Sequence, residues 1–285
     1  MNTFAQDQLL QRVDAKTQLA GSNRMEVLLF SLGTRETFGI NVFKVREVTK
    51  TPVVTRTPNL PRGVKGVISL RGQIIPVVDL AQFINIDDPA VSSGATMMVT
   101  EFSRRTQGFL VDEVDRIIRV EWDKIKAPDN VVSGAETLVT AITELEGGRL
   151  VSILDVEQIL VSAFGEVGIP DIPAAPAVER SLFFADDSTI ARKKIQEVLD
   201  KLGISYHQAS NGHEAWTKLR GLAEHASASG RSLKETISVI LTDAEMPEMD
   251  GYVLTKQIKA DHRFRDIPVI MHSSLSSEAN KAMGK

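Results

Sequence analysis

Cysteine is absent from the 285 residues, which excludes a disulfide scaffold, thiolate zinc sites and cysteine-based catalysis, and suits a reducing compartment. No run of about 18 apolar residues occurs, and the opening stretch MNTFAQDQLLQRVDAKTQLAGSNR is polar where a signal peptide would carry an apolar core. A soluble, cytoplasmic protein without membrane insertion is expected. Basic clustering is lacking too: 33 Lys and Arg stand scattered against 37 Asp and Glu, for a net charge of -4, so nucleic acid is not an expected partner. Histidine is missing from the whole span 25–160. All five copies, His207, His213, His225, His262 and His272, come later with no pair at i, i+4 spacing, so surface or core positions suit them better than metal or phosphorelay roles.

What remains is 42% hydrophobic and 25% charged, too apolar for disorder and too long for one ordinary core, so about two domains are expected. Residues 4–19 place Leu9, Leu10, Val13 and Leu19 among polar neighbours, the spacing of one short amphipathic helix in an N-terminal segment 1–23. Such a helix packs on its own domain or binds a partner. Across 24–164 the texture becomes short β-branched runs, among them MEVLLFSLG, TFGINVFKVREV, TMMVTEF and QGFLVDEVDRIIRV. Turn candidates at 32–36, 69–73, 103–107 and 146–149 recur between them, which predicts antiparallel hairpins in a barrel or sandwich, closed by a small helix over 155–164. Residues 165–179 hold three prolines and two glycines without apolar periodicity and are expected to be a semi-extended linker.

From 180 to 285 strand-like runs (SLFFAD, ISYHQA, TISVILTD, IPVIMHS) alternate with helical ones, which predicts a parallel sheet with helices on both faces. The polar stretch 221–235 is expected to be a surface loop insertion. Ligands in such sheets bind at the carboxyl ends of the strands. Those ends carry Asp186 and Asp187, then Asp243, then Ser273 and Ser274. Taken singly, the acids cap a helix or end a strand. Taken in this order, three carboxylates crowd into one pocket, a setting that a hard divalent cation such as Mg²⁺ relieves. Asp243 would then be placed to accept a phosphoryl group.

These residues resemble the receiver domain of bacterial two-component response regulators. The resemblance implies a flavodoxin-like α/β fold in which Asp243 is the phosphoacceptor. Asp187 and Asp243 would ligate Mg²⁺ directly, Asp186 through water and Glu245 through its backbone carbonyl. Ser273 would be the switch hydroxyl, Met246 and Pro247 the loop after the phosphoacceptor, and Gly251 its turn into the next helix. A receiver also has a fifth strand carrying a lysine and a last helix. Lys281 and Lys285 come too early to be that lysine, so the receiver is expected to be C-terminally incomplete.

Within 25–160 no nucleophile elbow, phosphate loop or metal-spaced carboxylate cluster occurs, which favours binding over catalysis. The run VKGVISLRGQIIPVVDL over 64–80 forms two strands joined at Leu70, Arg71 and Gly72, with glycine permitting the turn and Arg71 projecting from it. A solvated hairpin tip needs no partner to explain it. Preceded by FGINVFKVREV, the run resembles the CheW adaptors that link chemoreceptors to the histidine kinase CheA. That family is a pair of small SH3-like β-barrels, and it implies partner contacts at Val45, Glu47 and Arg71. Core packing is the alternative for Val45.

A CheW-like domain followed by a receiver resembles the CheV-type chemotaxis coupling proteins. The implied reading is a multidomain adaptor, all-β then α/β, cytoplasmic at receptor arrays near the inner membrane. Its partners would be CheA and methyl-accepting chemoreceptors, and phosphorylation would occur at Asp243. A haloacid-dehalogenase-type phosphatase wants DxDx(T/V) at its first strand, where ADDST offers adjacent acids. A transcriptional regulator would need a helix-turn-helix module, which the sequence does not show.

Overall fold

The computed structural model of the chain describes residues 24–84, 94–102, 105–126, 138–165, 168–169, 173 and 180–272. The helix expected over 4–19, most of the linker, Ser273, Ser274, Lys281 and Lys285 lie outside the described residues. Two compact units separate, the first built on 24–166 and the second on 167–273. Among the described residues no helix is long and apolar enough to cross a membrane.

The first unit is β-rich. In chain order it runs β1 (Arg24–Ser31), β2 (Thr37–Asn41), β3 (Val45–Lys50), β4 (Val64–Leu70), β5 (Gln73–Asp79), a helical turn α1 (Leu80–Phe83), β6 (Thr96–Phe102) and β7 (Arg105–Val111). It continues through β8 (Glu113–Glu121), β9 (Ile125–Lys126), β10 (Val139–Glu144), β11 (Leu150–Leu154) and helix α2 (Val156–Phe164). The strands form two sheets, ordered β8-β1-β2-β11-β10-β9 and β3-β6-β7-β5-β4. Hairpins dominate, but two pairings depart from the antiparallel expectation: β2 with β11 and β5 with β7 are parallel. Strands far apart in sequence are brought together there, and hairpin signals carry no information about such pairs.

Why these strands read as continuous apolar runs follows from burial on both faces. Along β1, Leu28 and Phe30 enter a central core while Val27 and Leu29 enter a second one. Along β6 and β7, Met98, Phe109 and Val111 join the central core, and Met97, Val99 and Leu110 join a third. The period-2 alternation of a strand sends successive side chains to opposite faces, so each sheet covers its own small core and shares the central one. Helix α2 closes the central core with Val156, Ile159 and Leu160. It starts where Asp155 accepts hydrogen bonds from the Glu157 and Gln158 amides, both at 3.0 Å, a side-chain cap on otherwise unpaired N–H groups.

The second unit alternates as expected: β12 (Ser181–Ala185), α3 (Thr189–Leu202), β13 (Tyr206–Ala209), α4 (Gly212–Ala228), β14 (Ile237–Asp243), α5 (Gly251–Ala260) and β15 (Val269–His272). The sheet order is β13-β12-β14-β15, with every pair parallel. The chain steps from β12 to one side and then crosses to the other, so the carboxyl ends of β12 and β14 flank a topological switch point, the place where such sheets bind ligands. The expected loop over 221–235 is corrected: α4 continues to Ala228, and a short 3-10 turn occupies Leu233–Glu235. Ala223 and Ala226 are buried at helical spacing from Leu219, so small residues extend the apolar stripe that polar neighbours hide in the sequence.

The start of α4 carries a pH-dependent cap. The Asn211 side chain accepts from the Glu214 amide at 2.7 Å, while Glu214 Oε2 accepts from the Ser210 amide and hydroxyl at 2.7 and 2.6 Å, a reciprocal arrangement of the capping-box kind. Partial burial pushes the Glu214 carboxyl up. Hydrogen bonds from Lys218 and Ser210 outweigh it and bring the group down to about 2. A folded-state value below the ordinary one stabilises fully above about pH 4.5, and the contribution fades as pH falls toward about 2. Urea melts of the parent and Glu214→Gln should therefore differ at pH 7 and converge near pH 2; a constant gap would refute this.

Candidate functional sites

Each member of the acidic cluster owes its place to a strand end. Asp186 and Asp187 follow β12, and Asp243 is the last residue of β14. One carboxylate oxygen from each lies within 4.8 Å of the others. Asp186 is 2% exposed, with Oδ1 accepting from the Ser188 amide at 2.8 Å. Asp243 is half-buried and Asp187 exposed. Asp243 Oδ1 accepts from the Ala244 amide at 2.8 Å, which fixes how the carboxylate is turned. Three carboxylates this close repel one another. The donor set, all hard oxygen and open to solvent on the Asp187 side, fits Mg²⁺.

The loop after Asp243 is held tightly. Met246 is fully buried in the core of this unit and Met249 nearly so, while the Gly251 amide donates back to the Ala244 carbonyl at 3.0 Å. A Cβ at Gly251 would lie 2.0 Å from the Asp243 carbonyl oxygen, and one at Gly212 would lie 2.2 Å from that of Met249. Both positions accept only glycine without backbone movement. Asp250 caps α5 by accepting from the Val253 amide at 2.7 Å. Glu245 sits half-buried in the same loop, two residues past Asp243.

Three residues near the pocket escaped the sequence reading. His272 ends β15 with Nε2 3.3 Å from Asp186 Oδ2, and its carbonyl accepts from the Ala244 amide at 2.9 Å. Tyr252 faces the loop: burial, then the charges of Glu245, Asp250 and Asp243, push its hydroxyl above the usual phenol range. Arg192, on the first turn of α3, reaches back to the turn carrying the acidic pair. The sole sequence cue for His272 was its position before Ser273; Arg192 and Tyr252 gave none beyond following the acidic residues by a helical turn or two.

In the first unit the LRG tip is a two-residue hairpin turn between β4 and β5, with φ of 51° at Arg71 and 81° at Gly72, the left-handed pair that a tight I′ connection requires. Arg71 is exposed and forms an ion pair with Glu47 on β3. Val45 is 1% exposed and belongs to the central core, the alternative that the sequence left open for it. A register shift between Val45 and Glu47 lets one point inward and the other toward the surface.

Comparison with known proteins agrees with this division. Residues 26–164 match the family model of the CheW-like domain, and residues 182–284 that of the response regulator receiver domain. The chain is 34% identical over 256 residues to chemotaxis protein CheV3 of Helicobacter pylori, covering 87% of this chain and 81% of that one. It is 30% identical over 297 aligned positions to chemotaxis protein CheV2 of the same organism, covering 97% and 92%. Among solved structures, the scaffolding protein TtCheW from Thermoanaerobacter tengcongensis aligns at 28% identity and a TM-score of 0.45, covering 50% of this chain and 95% of its own.

Proposed function

The chain belongs to the CheV family of chemotaxis proteins, a CheW-like domain followed by a receiver domain, and from that premise we propose that it couples chemoreceptors to the histidine kinase CheA under control of phosphorylation at Asp243. The observation that carries the reading is the convergence of Asp186, Asp187 and Asp243 at the switch point of a receiver that shares its chain with an adaptor domain. The protein acts as an adaptor and phosphoacceptor, not as an enzyme, and works in the cytoplasm at receptor arrays near the inner membrane.

In this reading Asp187 and Asp243 would ligate Mg²⁺ directly, Asp186 would hold it through water, and the Glu245 carbonyl would complete the protein's share. The ion's contribution is to offset charge on the transferred phosphoryl oxygens. Asp243 is the nucleophile: its carboxylate forms the new O–P bond as the N–P bond to a phosphohistidine of the kinase breaks, and the imidazole, already carrying a proton on its other ring nitrogen, keeps the electron pair and leaves as the neutral ring. The Ala244 amide orients the carboxylate for that approach. Ser273 is the hydroxyl that meets the new phosphate. Phosphorylation shifts the receiver between two packings, which alters how the adaptor engages its partners.

Docking falls to the surface around Glu47 and Arg71, with Val45 supporting it from the core. Reversing a charge at such a rim sets like charges against each other across the interface and suppresses binding of the partner. In co-sedimentation with receptor fragments and CheA, Arg71→Glu should lower recovery roughly tenfold. Adding Glu47→Arg rebuilds the ion pair with inverted polarity and should leave recovery low. Full recovery in the double variant would make Arg71 an internal support and remove it from the docking surface.

A further inference from the structure

We propose that Arg192 is a positioning residue for the acidic pocket: its guanidinium clamps the turn that carries Asp186 and Asp187 and so sets how tightly the pocket holds a divalent cation. The inference rests on the reading of that pocket as a Mg²⁺ site. Arg192 Nη1 donates to the carbonyl oxygens of both Asp186 and Asp187 at 2.8 Å, and Nη2 donates to Thr189 Oγ1 at 3.1 Å. The two carbonyls belong to the turn between β12 and α3, where neither the strand ladder nor the helix supplies regular donors. One side chain thus ties two successive peptide units to the first turn of α3.

The two acids need this to different degrees. Asp186 is buried and its carboxylate is held by the Ser188 amide. Asp187 is exposed, and its carboxylate hangs from the backbone that Arg192 grips. A guanidinium against the turn that carries two of the carboxylates has a second effect of opposite sign. Its positive charge eases their repulsion when no ion is bound and by itself disfavours a cation. If charge dominated, removing Arg192 would tighten Mg²⁺ binding; if the clamp dominates, removal loosens it. Partners that orient metal ligands from behind are worth about 10- to 100-fold in affinity, which exceeds the effect of one partly solvated charge at this range.

The test is isothermal titration of the full chain with MgCl₂ for the parent, Arg192→Lys and Arg192→Ala, with thermal melts recorded without metal. Arg192→Ala should bind about tenfold more weakly, and Arg192→Lys, which keeps the charge but loses the fork, about threefold. At saturating Mg²⁺, labelling by acetyl phosphate should return to the parent level in both, because Arg192 acts through the ion's ligands and touches no reacting atom. Affinities within twofold of the parent, or tighter, overturn the inference. Should Arg192→Ala fail to fold, the lysine variant decides by the same criterion. A parent that binds no Mg²⁺ overturns the pocket reading, and the inference with it, and so is told apart from a parent that binds while the variants match it.

Discussion

Asp243→Asn should abolish phosphoryl labelling of the full-length chain, with transfer from phosphorylated CheA or from acetyl phosphate falling at least about 100-fold. An amide oxygen is a far poorer nucleophile than a carboxylate, and the substitution also removes one of three negative charges that hold a cation. The neighbours are poorly placed to substitute. Asp186 is 2% exposed and its carboxylate is engaged by the Ser188 amide and lies against His272. Asp187 sits on a different strand end from the Ala244 amide that holds the Asp243 carboxylate. The asparagine is nearly isosteric and its side-chain oxygen can still accept from Ala244, so the melting temperature should change little. Equal labelling of parent and variant would remove Asp243 as the acceptor and leave the cluster a structural cap.

The second unit was legible in the sequence to the level of its strand order's chemistry because each signal there is local. Continuous apolar runs mark buried parallel strands, and Asp186, Asp187 and Asp243 stand directly at their ends. Where the reading failed, packing had overruled composition: 226–228 looks like a loop, yet Ala226 is small enough to continue the helix closely against its core. The first unit was legible as hairpins but not as a topology. The parallel pairing of β2 with β11 joins Phe38 to Ser152, and no nearest-neighbour rule connects residues that far apart. Val45 shows the limit most clearly. Strict alternation puts Val45 and Glu47 on one face, but the register slips by a residue between them; such a slip changes which face a side chain meets. The Glu47 to Arg71 ion pair joins edge strand β3 to the tip of the β4–β5 hairpin at the other edge of the sheet, which no spacing rule anticipates.

Gly251→Ala should cost about 2–4 kcal/mol of stability in the second unit and impair the pocket at the same time. On helix propensity alone the change would be favourable by about 1 kcal/mol, since alanine is the better helix former. The geometry reverses the sign. An added Cβ meets the Asp243 carbonyl oxygen at 2.0 Å, the Asp243 carbonyl carbon at 3.0 Å and Ala244 Cα at 3.1 Å. All three are backbone atoms, so no rotamer change relieves the contact. The end of β14 or the start of α5 has to move, and the Gly251 amide to Ala244 carbonyl bond that closes the loop is strained with it. Because the displaced atoms belong to Asp243, the proposed phosphoacceptor, its carboxylate shifts too, and labelling by acetyl phosphate should fall along with the melting temperature. Gly221→Ala supplies the contrast. Gly221 lies within α4 with nothing within 4 Å of its added Cβ, so the same chemical change there should raise stability by roughly 0.5–1 kcal/mol and leave labelling unchanged. If the two alanine variants melt alike, the close approach of Gly251 to Asp243 is not what holds the acceptor loop in place.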